Sequence, residues 1–174
     1  IVVLVGGLTL RSEAQSCVLG EPPSDFCTAP RVIPGNEGQH VVLMDLHNAT
    51  GSGEVQCNFI VGHTVWFSVT PTISGPVTIS TCHPATSFDT VLGVFSGGDG
   101  VCASMTPVTC NDDTADPHCA NGCSSAGSVV TFPASAGVRY RFAVGSYNAN
   151  AAGCPLCLGV IVTIQEGDSQ KVGQ

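Results

Sequence analysis

Five oxygen-bearing side chains stand out as able to do chemistry together: Asp89 in "SFDTVLGVFSG", and Asn111, Asp112, Asp113 and Asp116 in "CNDDTAD". A hard cation such as calcium takes about 6–8 oxygen ligands, from carboxylates, carbonyls and water. Four of these residues supply carboxylates, and Asn111 supplies an amide oxygen. The same side chains have a plainer use, since Asp and Asn accept backbone N–H bonds in turns and at the entrance to a strand. Asp89 would do this where Thr90 starts a strand, with Val91 and Leu92 entering the core. The loop has neither the glycine nor the terminal glutamate of an EF-hand. Calcium is the one cofactor these residues suggest, and turn satisfaction is the alternative.

Signals of catalysis are absent from the sequence. There is no H-E-x-x-H, no G-x-S-x-G elbow and no phosphate-cradling glycine motif. Asp112 and Asp113 are adjacent and would point apart on an extended chain, which is unsuited to paired-carboxylate hydrolysis. The five histidines, His40, His47, His63, His83 and His118, are scattered; His63 and His83 read as exposed loop residues near strand ends. "CPLC" lacks the βαβ surroundings of a redox motif. The expectation is a protein that is not an enzyme.

The ten cysteines, Cys17, Cys27, Cys57, Cys82, Cys102, Cys110, Cys119, Cys123, Cys154 and Cys157, form an even set across the chain. Disulfides in an exported protein are the economical reading. Zinc is the rival, because Cys119-x3-Cys123 and Cys154-x2-Cys157 have workable ligand spacing with His118 alongside. Connectivity cannot be read from spacing. Asn48-Ala49-Thr50 is an N-glycosylation sequon in a Gly/Ser loop, so glycans are possible partners.

The elements that must position these groups are strands. In 174 residues, charged residues make up 10%, and the formal charge is −8 with five Lys and Arg in all. A counterion-releasing surface for nucleic acid is therefore absent, and attraction to anionic membranes is disfavoured. No helical period persists. Short alternating or apolar runs recur between Gly/Pro/Asn/Asp clusters: His40–Leu46, Thr64–Thr70, Gly75–Cys82, Thr90–Ser96, Thr106–Cys110, Ser128–Phe132, Val138–Tyr147 and Leu158–Gln165. Such spacing predicts an all-β chain, a disulfide-rich antiparallel β-sandwich of jelly-roll or Ig-like form. Val65, Phe67 and Val69 should share one face of their strand, with Trp66, Ser68 and Thr70 on the other. Tyr140, Phe142 and Val144 should face in, with Arg139 and Arg141 facing out. Residues 170–174 read as a frayed tail.

With strands and cysteines placed, Cys27 to Ile164 resembles the bacterial pre-peptidase C-terminal domain, a secreted β-sandwich. The resemblance is carried by "VWFSVTPTISGPVTISTC", "SFDTVLGVFSG", "PVTCNDD" and "SVVTFPASAGVRYRFAVGSY", in that order. It implies a sandwich with no catalytic centre of its own, and it suggests a bridge between Cys27 and Cys57. Calcium in some members of this sandwich class supports the reading of Asp89 and the "CNDDTAD" loop. Ile1 to Phe26 lie outside the resemblance.

The opening "IVVLVGGLTL" places Ile1, Val3 and Val5 on one face of a strand and Val2, Leu4, Leu8 and Leu10 on the other. Covering these side chains is worth on the order of 10–20 kcal/mol as an upper estimate. A strand apolar on both faces needs neighbours on both. Three readings stay open: the apolar region of a secretory leader, with Ala14-Gln15-Ser16 before Cys17 as its cleavage site; a strand of the chain's own sandwich; or a strand donated to another copy. The organisation expected is residues 1–16 as apolar strand and polar hinge, and residues 17–174 as one sandwich. The function expected is an extracellular structural subunit that assembles with copies of itself into a pilus-like filament by donating Ile1–Leu10, with no membrane span. A solitary secreted module binding a polysaccharide or a protein surface is the alternative.

Overall fold

In a computed structural model, the described residues are 24–50, 54–57, 59–98, 101–116, 119, 127–147 and 156–167. They form ten strands: β1 (Arg31–Ile33), β2 (Gly38–Asp45), β3 (Glu54–Gln56), β4 (Phe59–Val69), β5 (Gly75–Ser80), β6 (Thr90–Gly97), β7 (Met105–Asn111), β8 (Val129–Ala134), β9 (Tyr140–Ser146) and β10 (Cys157–Ile164). One sheet runs β1-β4-β9-β6-β7 with β3 also pairing β4, and the other runs β2-β10-β5-β8. All pairs are antiparallel except β1 with β4. No helix among the described residues is long and apolar enough to cross a membrane.

Alternation builds the core between the sheets. Val65, Phe67 and Val69 from β4 and Tyr140, Phe142 and Val144 from β9 meet Val77, Ile79, Val130, Phe132, Leu158, Val160 and Val162 from the opposite sheet. Phe67 and Phe142, paired across β4 and β9, stack with centroids 4.9 Å apart. The faces read from "TVWFSVT" are those observed, with Trp66 in a second apolar cluster beside Cys27 and Ala143.

Two expectations need correction. Arg141 does not face solvent: it is 3% exposed, and its guanidinium donates to the Gly97 carbonyl at 2.6 Å. Its face of the sheet is covered, because residues around Cys27 fold back over Trp66, and Ser24 O accepts from Trp66 N at 2.8 Å. The proline-bearing stretch before residue 35 contains β1, paired with Phe67, Ser68 and Val69. The expected Cys27–Cys57 bridge is replaced by Cys27–Cys102 and Cys57–Cys110, with Cys82–Cys119 a third bridge. Among the described residues no cysteine is free, and Cys157 is also disulfide-bonded. Cys119 is thus unavailable to a zinc ion, and disulfides belong to oxidising compartments. The donor-strand residues Ile1–Leu10, together with Cys17, His118, Cys123 and Cys154, lie outside the described residues.

Candidate functional sites: an acidic centre and an open strand edge

Asp89 immediately precedes β6, and Asp112 and Asp113 immediately follow β7; since β6 and β7 pair with Leu92 opposite Asn111, the three carboxylates are delivered to one end of the sheet. One oxygen of each lies within 4.8 Å of the others. The chain turns sharply after β7, so Asp112 and Asp113 do not diverge as they would on an extended strand. Asn111 makes that turn: its Nδ2 donates to Asp113 O at 3.1 Å, and its Oδ1 accepts from Val129 N at 2.9 Å. Asn111 is therefore a turn residue, as the plainer reading expects. Asp116 stands outside the trio.

Beneath the carboxylates lies a dry hydroxyl network that sequence reasoning missed. Thr81, Thr90 and Ser128 are fully buried. Thr81 Oγ1 and Thr90 Oγ1 are 2.7 Å apart, Thr90 Oγ1 and Ser128 Oγ are 3.1 Å apart, and Ser128 N donates to Thr81 Oγ1 at 2.8 Å. Ser128 Oγ also reaches the carbonyls of Thr90 and Asp112. Buried polar atoms hold position when all are satisfied. This network fixes the end of β5, the start of β6, the start of β8 and the Asp112 backbone relative to one another. The Cys82–Cys119 and Cys57–Cys110 bridges flank it, and a Cβ on Gly127 would come within 3.1 Å of Cys119 Sγ. Only a hydroxyl-bearing residue beside each strand boundary hinted at the network in sequence.

The carboxylates themselves are left wanting. Asp89 Oδ1 and Asp112 Oδ1 are buried and accept no hydrogen bond from the described residues. Burial first, then the charges of Asp113 and Asp112, push the Asp89 carboxyl up to about 6, and burial followed by Asp113 raises Asp112 as well. Turn satisfaction does not account for these two oxygens. A divalent cation among three carboxylates would supply the missing partner and offset the mutual repulsion.

Among the described residues, no histidine joins this centre's three carboxylates. His63 is within β4, half-buried, at φ 44° where the pairing with β9 shifts register, rather than in an exposed loop. His83 is half-buried, with Nδ1 accepting from Ala85 N at 3.0 Å, and a side chain at Gly159 would strike its ring. His47 Nδ1 lies 2.6 Å from Asp45 Oδ1 on the surface.

The second site is an edge. β2 pairs with β10 along its whole length and has no neighbour on its other side among the described residues. Val42 and Met44 turn toward the core, whereas Val41 and Leu43 point outward, 50% and 38% exposed. Eight residues of edge strand with an apolar outer face are a ready template for another strand.

No family model matches the chain, and no curated protein matches it. Among solved structures it is similar to the pre-peptidase C-terminal domain of collagenase from Bacillus anthracis, at 9% identity and TM-score 0.42, over 78% of this chain and 96% of that one. It is similar to CorA, a surface-associated copper-binding protein of Methylomicrobium album BG8, at 13% identity and TM-score 0.46, over 79% of this chain and 100% of that one. It is also similar to PliG, a periplasmic inhibitor of g-type lysozyme from Aeromonas hydrophila, at 11% identity and TM-score 0.41, over 79% and 100%. A pre-peptidase C-terminal domain is thus among the structures this chain resembles. At these values no residue's role follows from the likeness.

Proposed function

We propose that the chain is a non-enzymatic extracellular structural subunit that assembles with copies of itself, Ile1–Leu10 of one copy adding as a strand to the β2 edge of the next. The observation that carries the reading is that edge: among the described residues no strand pairs with its outer side along Gly38–Asp45, and Val41 and Leu43 offer an apolar face. Main-chain hydrogen bonds would give affinity along the strand, and alternate side chains of Ile1–Leu10 would cover that face. The contact is heterologous, so it propagates as a filament unless its rotation closes a ring. The disulfides support an extracellular setting.

The test is a chain lacking Ile1–Leu10, beside a full-length chain carrying Val41→Lys and Leu43→Lys. Each should form its disulfides and sediment as a monomer at concentrations where the parent gives filaments by electron microscopy. Filaments from the truncated chain would overturn the reading.

A second reading, a solitary module whose loops are held by calcium for binding a polysaccharide or protein surface, is favoured by the unpartnered oxygens of Asp89 and Asp112. Calcium titration with thermal unfolding tests it. A midpoint that rises with calcium, and does not rise in Asp112→Asn, supports it; a midpoint indifferent to calcium and to a chelator removes it.

A further inference from the structure

We propose that Asn48 carries an N-linked glycan. The sequon Asn48-Ala49-Thr50 is the one N-x-[ST] in the chain, and it falls in the turn that leaves β2. That turn is pinned from below: Ala49 is buried, its N–H donates to the Leu46 carbonyl at 2.9 Å, and Leu46 is fully buried. Asn48 stands exposed between exposed His47 and buried Ala49, and its side chain makes no hydrogen bond among the described residues. A glycan on its Nδ2 would displace nothing. Thr50, two residues on, is exposed; its hydroxyl is the group a sequon-reading transferase requires. In the folded chain that hydroxyl donates to Asp25 Oδ2 at 2.6 Å, which anchors the far side of the turn and places glycan attachment before folding is complete.

A second observation points the same way. Charged residues are only 10% of the chain, while Phe26, Val32, Val41 and Leu43 stand exposed. Soluble globular domains ordinarily have about 25% charged residues overall. An oligosaccharide beside the apolar β2 edge supplies hydration that charge does not, and it discourages lateral aggregation. This inference is independent of strand donation and of calcium.

The chemistry balances with a lipid-linked oligosaccharyl diphosphate as donor. The Asn48 amide nitrogen forms a bond to the anomeric carbon, the anomeric C–O bond to the diphosphate breaks, and the lipid diphosphate departs with the electron pair. The amide proton passes to a transferase base.

The experiment uses the protein from its native source. Cleavage after Glu37 and Glu54 releases the peptide from Gly38 to Glu54, whose mass should carry hexose and N-acetylhexosamine increments. An amide-cleaving N-glycosidase in heavy-oxygen water should strip the sugar and leave labelled Asp at position 48. In the native host, Asn48→Gln and Thr50→Val should abolish the modification, while Thr50→Ser retains it. The native peptide found bare, or sugar persisting in Asn48→Gln on Thr50 or Ser52, overturns the proposal.

Discussion

The acidic end of the sandwich and the β2 edge each hold an unmet demand, of opposite kinds. At the acidic end the backbone is fixed by the Thr81–Thr90–Ser128 network and flanked by two disulfides, and what lacks a partner is charge. Among the described residues, along β2 no disulfide constrains the outer side, no charge is buried, and what lacks a partner is a row of peptide groups with an apolar face. A small mobile ion suits the first, because only a point charge fits between fixed oxygens. A strand suits the second, because an edge asks for a whole length of backbone. The pair separates two ways a fold can be left open: locally by electrostatics, or lengthwise by hydrogen bonding.

Changes confined to one region should leave the other's behaviour intact, and the largest effect should come from the bridges. Replacing Cys82 and Cys119 together by Ser should cost about 2–5 kcal/mol in chemical denaturation. It should also weaken any calcium response while leaving filament formation by the surviving folded fraction unchanged. Next comes the hydroxyl network: Thr81→Val strands Ser128 N–H and leaves the Thr90 hydroxyl with Ser128 Oγ alone, for an expected loss of about 1–3 kcal/mol in the same assay.

Titration sharpens the contrast further. An acid whose folded-state pKa is raised stabilises the fold fully below its ordinary value of 3.8, and that contribution is lost as the pH climbs through about 6. Without calcium, the thermal midpoint should therefore decline across that interval. Asp89→Asn should flatten the decline and raise the midpoint at neutral pH, whereas added calcium should flatten it in the parent chain alone. The smallest effect on stability belongs to the edge: Val41→Lys with Leu43→Lys should move the monomer's unfolding free energy by less than about 0.5 kcal/mol per substitution, even as association is lost.

The long alternating strands were legible in sequence because each carries its own pattern. Val65, Phe67 and Val69 declare a buried face without reference to any partner. β1 and β3 were not legible: three residues are too few to alternate, and β1 stands between Pro30 and Pro34 and pairs with a strand far along the chain. Arg141 misled because alternation tells which side of a sheet a residue takes, and nothing about whether that side is covered. The acidic trio was legible by residue type, but its convergence was not, since it depends on the β6–β7 register and on the turn that Asn111 makes. Disulfide partners were hidden for the same reason, being set by which strands become neighbours.

The placement of β10 bears on how the molecule is made. The last strand described lies inside its sheet, between β2 and β5, with Ile164 opposite both Gly38 and Val77. Until Cys157–Ile164 has been synthesised, β2 has no neighbour on either side among the described strands, and the sheet exists only as the β5–β8 pair. Contacts so distant in sequence form slowly, because the chain must close a long loop before any pairing rewards it. A growing chain thus presents Val41 through Met44 unpaired for as long as Cys157–Ile164 is delayed. Termination before Cys157 would remove an inner strand of the sheet rather than trim its margin.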